Sequence, residues 1–449
     1  MRGTALVLAA GLLPAALGAQ GFGIYELSTC TMGRGGAVAA NPCGDGSAVF
    51  FNPAGLSALS GTHISVGLTT ISPSGGFTDD IFQQHTDMTN QTFLIPNVFI
   101  TRRMSDKIGV GIGLFVPYGL GTKWPTTFSG RFAGYDTEVK SYYIQPTVSY
   151  QVTPRLSLGL GIDYIHASVA LHQRLDLSAF TAVPGVTFGQ LGIPSGTDFA
   201  NADLSATGSG IAFNGGVTFK VNDRLTLGGH FMTKKTIHFS GNASFQQLAT
   251  GLVLPKQNPI DSTSVIPIDG FLTLNAFQAG QALSGGPATT DVVLPDQGTI
   301  GLDYKFTDKW HVSADYQQVV WGWFQTLQVN FQNAATPPLV ANEYYRDSNG
   351  FRFGTEYQYS PKLTLRGGYV YNSAAAPQQT VTPRLPEGDR NSFIVGVGFQ
   401  LTSALHGDAT YMYLKQNDRR GRVSESSTVN TGLYTFKASL FGAGLSYSF

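Results

Sequence analysis

The chain carries little charge. Asp, Glu, Lys and Arg make up 12% of its 449 residues, where a soluble domain has roughly 25%. Its 28 basic and 28 acidic residues cancel, so nothing points to nucleic acid as a partner. Long apolar runs are missing too. Beyond Leu17 no stretch approaches the roughly 20 apolar residues that a membrane-crossing helix needs. Cysteine is limited to Cys30 and Cys43, which lack metal-ligand spacing with any nearby histidine. In an oxidising compartment the pair can close a short loop; two free thiols is the alternative. His166, His172, His230, His238, His311 and His406 are scattered without a metal-ligand pattern, and no catalytic constellation stands out. These absences argue against an enzyme, a metal site or a cofactor.

What the chain has instead is glycine, at 55 residues, and 12% aromatics. Its first residues combine Arg2 with an apolar stretch from Ala5 to Leu17 and the small residues Ala16, Gly18 and Ala19. That reads as a secretory signal peptide over residues 1–19. The last residues alternate strictly. Phe441, Ala443, Leu445, Tyr447 and Phe449 are apolar, and Gly442, Gly444, Ser446 and Ser448 are small or polar. A period of two with one greasy and one small face fits a wall that has lipid outside and a filled lumen inside.

The rest of the chain repeats this pattern in pairs. His63–Thr70, Pro96–Arg103 and Ile108–Val116 read as the first three strands. Short polar turns at 105–107, 153–155, 222–224, 307–309, 360–362 and 402–403 each join two alternating runs. In one, Leu156, Leu158, Leu160, Ile162 and Tyr164 oppose Ser157, Gly159, Gly161 and Asp163. In another, Trp310, Val312, Ala314 and Tyr316 oppose His311, Ser313, Asp315 and Gln317. Long polar or Gly/Pro-rich segments separate the pairs, at about 72–93, 117–136, 172–207, 241–290, 331–348, 374–390 and 417–429. Short turns at one end and long loops at the other are the mark of an outer-membrane barrel. The expected fold is all-β: a transmembrane antiparallel β-barrel of 14 strands over residues 61–449. A soluble all-β protein is the alternative, but it would not need aromatics at both strand ends.

The inward positions Gly111, Gly161, Gly216, Gly354, Gly368 and Gly396 are small and leave room for something in the lumen. Residues 20–60 have no place in the wall and are expected to fill it as an N-terminal plug. Within them Asn52 followed by Pro53 and Ala54 reads as a capped helix start. Arg34, if buried, needs a wall carboxylate. Arg352, Glu356, Arg366, Asp163 and Asp315 are expected to form wall-stabilising ion pairs.

The stretch Gly33-Arg34-Gly35-Gly36-Ala37, the small-residue run after it and Phe51-Asn52-Pro53-Ala54-Gly55-Leu56 together resemble the FadL/TodX family of outer-membrane transporters. Pro117–Trp124, Ser129-Gly130-Arg131 and Leu385–Arg390 are similar as well. The resemblance extends over nearly the whole mature chain; the cysteine pair departs from it. It implies an uptake channel for long-chain fatty acids or other hydrophobic compounds, set in the bacterial outer membrane as a multi-pass barrel. The N-terminal hatch would gate it, and cargo would exit sideways through the wall. A monomer surrounded by lipid is expected. The alternative is an open diffusion porin for small polar solutes.

Two sets of residues carry this expectation. Tyr118, Leu120, Trp124, Phe128, Arg131 and Phe132, with Lys123 among them, are read as exposed aromatic side chains that form a landing site for hydrophobic cargo; the alternative is that they pack the loop against its neighbours. Asn52, Pro53 and Ala54 in the plug, and Gly109, Gly111 and Gly113 on the third strand, are expected to gate; the alternatives are a purely structural cap and glycines that only make room for the plug. The glycines and Pro117 make that strand the easiest to kink.

Overall fold

In the computed structural model, residues 21–81, 83–255, 265–421 and 431–449 are described; the signal peptide expected at 1–19 lies outside them. Fourteen strands form the wall: β1 (Thr62–Asp79), β2 (Phe93–Arg103), β3 (Ile108–Phe115), β4 (Asp136–Gln151), β5 (Leu156–Asp176), β6 (Asp198–Lys220), β7 (Leu225–Met232), β8 (Gln297–Thr307), β9 (Trp310–Val319), β10 (Ser348–Ser360), β11 (Leu363–Asn372), β12 (Arg390–Gln400), β13 (Leu405–Gln416) and β14 (Gly432–Ser448). Each pairs antiparallel with the next. β14 returns to β1 over its whole length, from His63 opposite Ser448 to Asp79 opposite Gly432. Closure of the ring lets the wall strands pair their backbone groups within the wall. No helix among the described residues is long and apolar enough to cross a membrane.

Alternation decides what faces lipid. Leu158, Leu160, Ile162 and Tyr164 are exposed, whereas Gly161, Asp163 and Ile165 between them are buried. Phe441, Leu445, Tyr447 and Phe449 point outward, while Ser446 is buried. Ser313, Asp315 and Gln317 face inward, as the period of two requires.

Strand length differs from the sequence reading. β1 continues to Asp79, β5 to Asp176, and β6 begins at Asp198. Segments expected as loops are therefore partly strand. The upper half of β6 leaves β7 and pairs with Lys235–Gln247. The sheet then continues through Gly286–Leu294, Thr326–Phe331 and Leu339–Asn342. Above the bilayer both faces of a strand can be wet, so the ladder persists after the apolar alternation has faded. A second core forms on this side, where Leu177, Phe188 and Phe199 pack with Ile268 and Leu272 of the helix Ile268–Asn275.

Candidate functional site

The N-terminal segment is built by local rules. Ser28 caps the helix Thr29–Gly33, its Oγ accepting from the Thr31 N–H at 3.2 Å. Gly35 and Gly36 follow with φ of 63° and 69°, a backbone region costly for other residues. A Cβ on Gly35 would also lie 2.7 Å from the Phe353 carbonyl. Cys30 and Cys43 are joined in a disulfide, with Cα atoms 6.3 Å apart. Asn52 caps the 3₁₀ helix Pro53–Ala58 by accepting from the Ala54 N–H at 3.1 Å. Its Nδ2 donates to the carbonyls of Ala39 at 2.6 Å and Val217 at 3.0 Å.

This segment meets inward positions on all fourteen wall strands. Residues 29–33 adjoin Gly396, Thr410 and Gly442. Residues 34–40 adjoin Gly228, Asp303, Asp315, Gly354 and Gly368. Residues 45–57 adjoin Ser65, Thr101, Gly111, Gln145, Gly159 and Gly216. Most of the inward glycines thus make room for this segment, Gly354 and Gly368 for its backbone and Gly111 and Gly216 for the Val49 and Asn52 side chains; Gly161 makes room for the Gln145 side chain instead. Arg34 meets Asp303 at 3.4 Å and donates to Ser313 Oγ at 2.8 Å and the Asn41 carbonyl at 2.9 Å.

The inward charges divide. Glu356 accepts from Arg366 at 2.5 Å, and Arg366 also pairs with Asp408, a wall ion network as expected. Asp315 and Arg352 serve the N-terminal segment instead. Asp315 Oδ2 accepts from the N–H groups of Val38 and Ala39, both at 2.9 Å. The Arg352 guanidinium lies 4.4 Å over the Tyr25 ring. Asp163 is fully buried, and neither carboxylate oxygen has a hydrogen-bond partner among the described residues.

The wall is interrupted between the outer ends of β2 and β3. β2 pairs with β1 from Phe93 onward, but with β3 only from Val98. β3 ends at Phe115. The chain resumes as a short strand, Gly119–Lys123, which pairs with β4 alone. The outer end of β2 therefore has no partner on that side among the described residues. Behind the interruption lies a cavity of about 780 Å³, within the roughly 300–1,000 Å³ range of small-molecule sites. Phe22, Ile24, Phe93, Leu120, Val139 and Phe436 give it apolar walls. Residues 22–24 form its inner side and are stitched to the kink: Ile24 N–H donates to the Pro117 carbonyl at 2.8 Å, and Gly119 N–H to Phe22 at 3.0 Å. Of the charged side chains around it, Lys123 is paired with Asp136 and Lys140 with Glu138. Arg390 Nε is buried without a partner among the described residues.

Gly109, Gly111 and Gly113, the glycines expected to gate, differ in what they face. A Cβ on Gly109 would lie 2.5 Å from the Leu56 carbonyl, and one on Gly111 would lie 2.8 Å from Val49. Gly113 faces Phe99 and Phe115 instead.

The aromatics expected as an exposed landing site are not exposed. Trp124 and Phe128 are buried and stack on each other at 4.6 Å. Trp124 Nε1 donates to the Pro383 carbonyl at 3.1 Å, and Phe77 and Tyr434 complete the cluster. They pack the loop onto its neighbours because those neighbours supply matching apolar surface. Tyr118 is buried as well, and Leu120 half-buried; both border internal cavities. Arg131 is committed to Asp198 at 2.8 Å and stacks over Phe132.

The sequence reading missed Glu387. It is fully buried and accepts from the N–H groups of Gly21 at 2.5 Å, Ala375 at 3.0 Å and Ala376 at 2.9 Å. Burial pushes its carboxyl up, against the pull of Arg390 and those N–H donors. The stretch Leu385–Arg390 was the available signal; its role of anchoring the start of the N-terminal segment was not readable from it.

Comparison with known proteins agrees with this architecture. The family described as outer membrane protein transport protein (OMPP1/FadL/TodX) matches residues 11–449. The 47 kDa outer membrane protein of Pasteurella multocida is 26% identical over 449 residues, covering 99% of this chain and 98% of that protein. The long-chain fatty acid transport protein of Escherichia coli K12 is 23% identical over 473 residues, with the same coverage. Among solved structures, a Pseudomonas aeruginosa FadL homologue superposes with a TM-score of 0.80 at 20% identity, covering 96% of this chain and all of that one. The toluene transporter TodX of P. putida superposes at 0.69 and 20% identity, covering 96% and 98%. The chain belongs to the OMPP1/FadL/TodX family of outer-membrane transport proteins.

Proposed function

From that membership, we propose that the chain takes up long-chain fatty acids or other hydrophobic compounds, gated by residues 21–60 as a hatch, with lateral exit into the membrane. The cavity behind the interrupted wall carries this reading. Its apolar sides suit a greasy cargo, its inner side is the N-terminal segment, and its outer side is the place where β2 lacks a partner. A cargo that left into water would lose about 0.8 kcal/mol for each exposed CH₂, so sideways release favours transport. Arg390 lines this cavity and has a buried Nε without a partner among the described residues, a donor that suits a carboxylate head. An open porin is disfavoured, because the N-terminal segment meets inward positions on every wall strand.

A side chain at Gly121 would overlap the Phe93 ring across the interruption. Gly121→Leu is expected to fill the opening and stop uptake of a labelled fatty acid while the barrel still assembles. Normal uptake in that variant would remove the lateral exit. Mass spectrometry of lipophiles that co-purify with the protein separates fatty acids from hydrocarbons as cargo.

A further inference from the structure

We propose that His311 and Arg34 compete for one oxygen of Asp303, so that a proton on His311 loosens the wall's hold on the N-terminal segment. The consequence for transport rests on the reading of that segment as a hatch. Asp303 Oδ2 receives three donors: Ser313 Oγ at 2.7 Å, His311 Nδ1 at 2.9 Å and Arg34 Nη2 at 3.4 Å. The contact from Arg34 is the longest, and Arg34 Nε is buried without a partner among the described residues. The other nitrogen of His311, Nε2, lies 3.1 Å from Glu356 Oε1.

Ionised carboxylates only accept, so an imidazole facing carboxylates at both nitrogens carries two protons and a positive charge. Two cations then share one anionic oxygen inside a poorly solvated lumen. Neutral His311 can donate from one nitrogen only. By keeping the proton toward Glu356 it gives Asp303 Oδ2 over to Arg34, which can close to a normal charge-assisted hydrogen bond. Coupling of this kind is reciprocal: whatever His311 protonation takes from Arg34, a tightly held Arg34 takes from His311.

The other charged groups around His311 are already paired. Lys305 sits across the β8–β9 ladder and binds Asp308 at 2.8 Å. Glu356 binds Arg366, which binds Asp408, and His406 lies 3.2 Å from Asp408. His311 is also within reach of protons. It is the second residue of β9, directly after the short turn at Asp308 and Lys309, and its side chain is 18% exposed.

The test follows amide hydrogen exchange of residues 29–41 in the full-length protein at pH 5.5 and pH 8, corrected for intrinsic rates, with planar-bilayer conductance measured in parallel. Wild-type exchange should be about fivefold faster at the lower pH, the low end of usual site-to-site coupling. His311→Gln should abolish the difference and hold the segment as wild type does at pH 8. Ser313→Ala should keep the pH dependence. An unchanged pH dependence in His311→Gln overturns the competition. If that variant does not assemble, equal wild-type exchange at both pH values overturns it alone. Exchange that follows pH through His311 while conductance stays constant supports the competition and sinks the hatch reading instead.

Discussion

Asn52 Oδ1 occupies the space that a side chain at Gly216 would need, so the cap of the 3₁₀ helix is seated against the bare backbone of β6. One asparagine therefore ties three things together: its own helix, the Ala39 carbonyl and the Val217 carbonyl of the wall. Gly216→Val is expected to expel Asn52 and free residues 48–58 while leaving the outer wall intact. Asn52→Ala should act in the same direction, removing a cap interaction of about 1 kcal/mol. Hydrogen exchange checks both: faster exchange in 48–58 with unchanged wall strands is the expected pattern, and full protection in Gly216→Val contradicts it.

The wall register gives a sharper contrast. Leu445 is 48% exposed toward lipid, and its neighbour Ser446 is 7% exposed and faces inward. An arginine on the lipid face near the bilayer midplane costs about 2–4 kcal/mol, falling toward the interfaces. Leu445→Arg should therefore lower the yield of assembled barrel more than Leu445→Ser does. Ser446→Arg should perturb the lumen rather than insertion. Equal assembly of Leu445→Arg and wild type in membranes would put the register in error.

The extracellular sheet carries a pH signature. Burial pushes the Glu343 carboxyl up to about 7, although Arg384 pulls the other way. Its unfolded value is near that of an ordinary glutamate, roughly 4.3. The folded state therefore holds a proton that the unfolded state has released, and this group's contribution to stability falls as pH rises from about 4 to 7. Glu343→Gln mimics the protonated form. It should raise thermal stability of the extracellular region at pH 8, by an amount on the order of 2 kcal/mol, and change little at pH 4. The same gain at both pH values would show that the charge of Glu343 is not responsible.

These contrasts track what could be read from the chain. Alternation at Phe441–Phe449 and Leu156–Tyr164 was legible because lipid and lumen impose opposite chemistry on successive residues. The Asn52 cap was legible because the N–H it accepts from, that of Ala54, lies two residues on, whereas its bonds to Ala39 and Val217 were not. The upper ends of β5 and β6 were not, since water on both faces erases the alternation there. Arg34 could be expected to need an acid, but Asp303 lies 269 residues away and is brought near only when the barrel closes. Trp124 and Phe128 left exposure and packing both open for the same reason. The groups that bury them, Phe77, Pro383 and Tyr434, come from distant parts of the chain.

The disulfide makes the last prediction. Cys30 lies in the helix whose first residue, Thr29, accepts from Thr410 of β13, and Cys43 lies just before Asp45, which meets Ser65 of β1. Between them runs the loop that holds Arg34 and the Asp315 contacts. The bond therefore staples a loop 13 residues in sequence separation, and a loop of about that length corresponds to roughly 3 kcal/mol of chain entropy in the simplest account. In the barrel, however, the same loop is also held by wall contacts at Asp303 and Asp315. Cys30→Ser with Cys43→Ser should thus leave the barrel assembled and loosen residues 29–45 specifically. Residues 21–24 lie outside the staple and are tied instead by Pro117, Gly119 and Glu387, so their protection should not change. Exchange measured with and without reductant on the wild type gives an independent check. If residues 21–24 loosen together with 29–45, the two parts of the segment move as one body and the disulfide does not divide them.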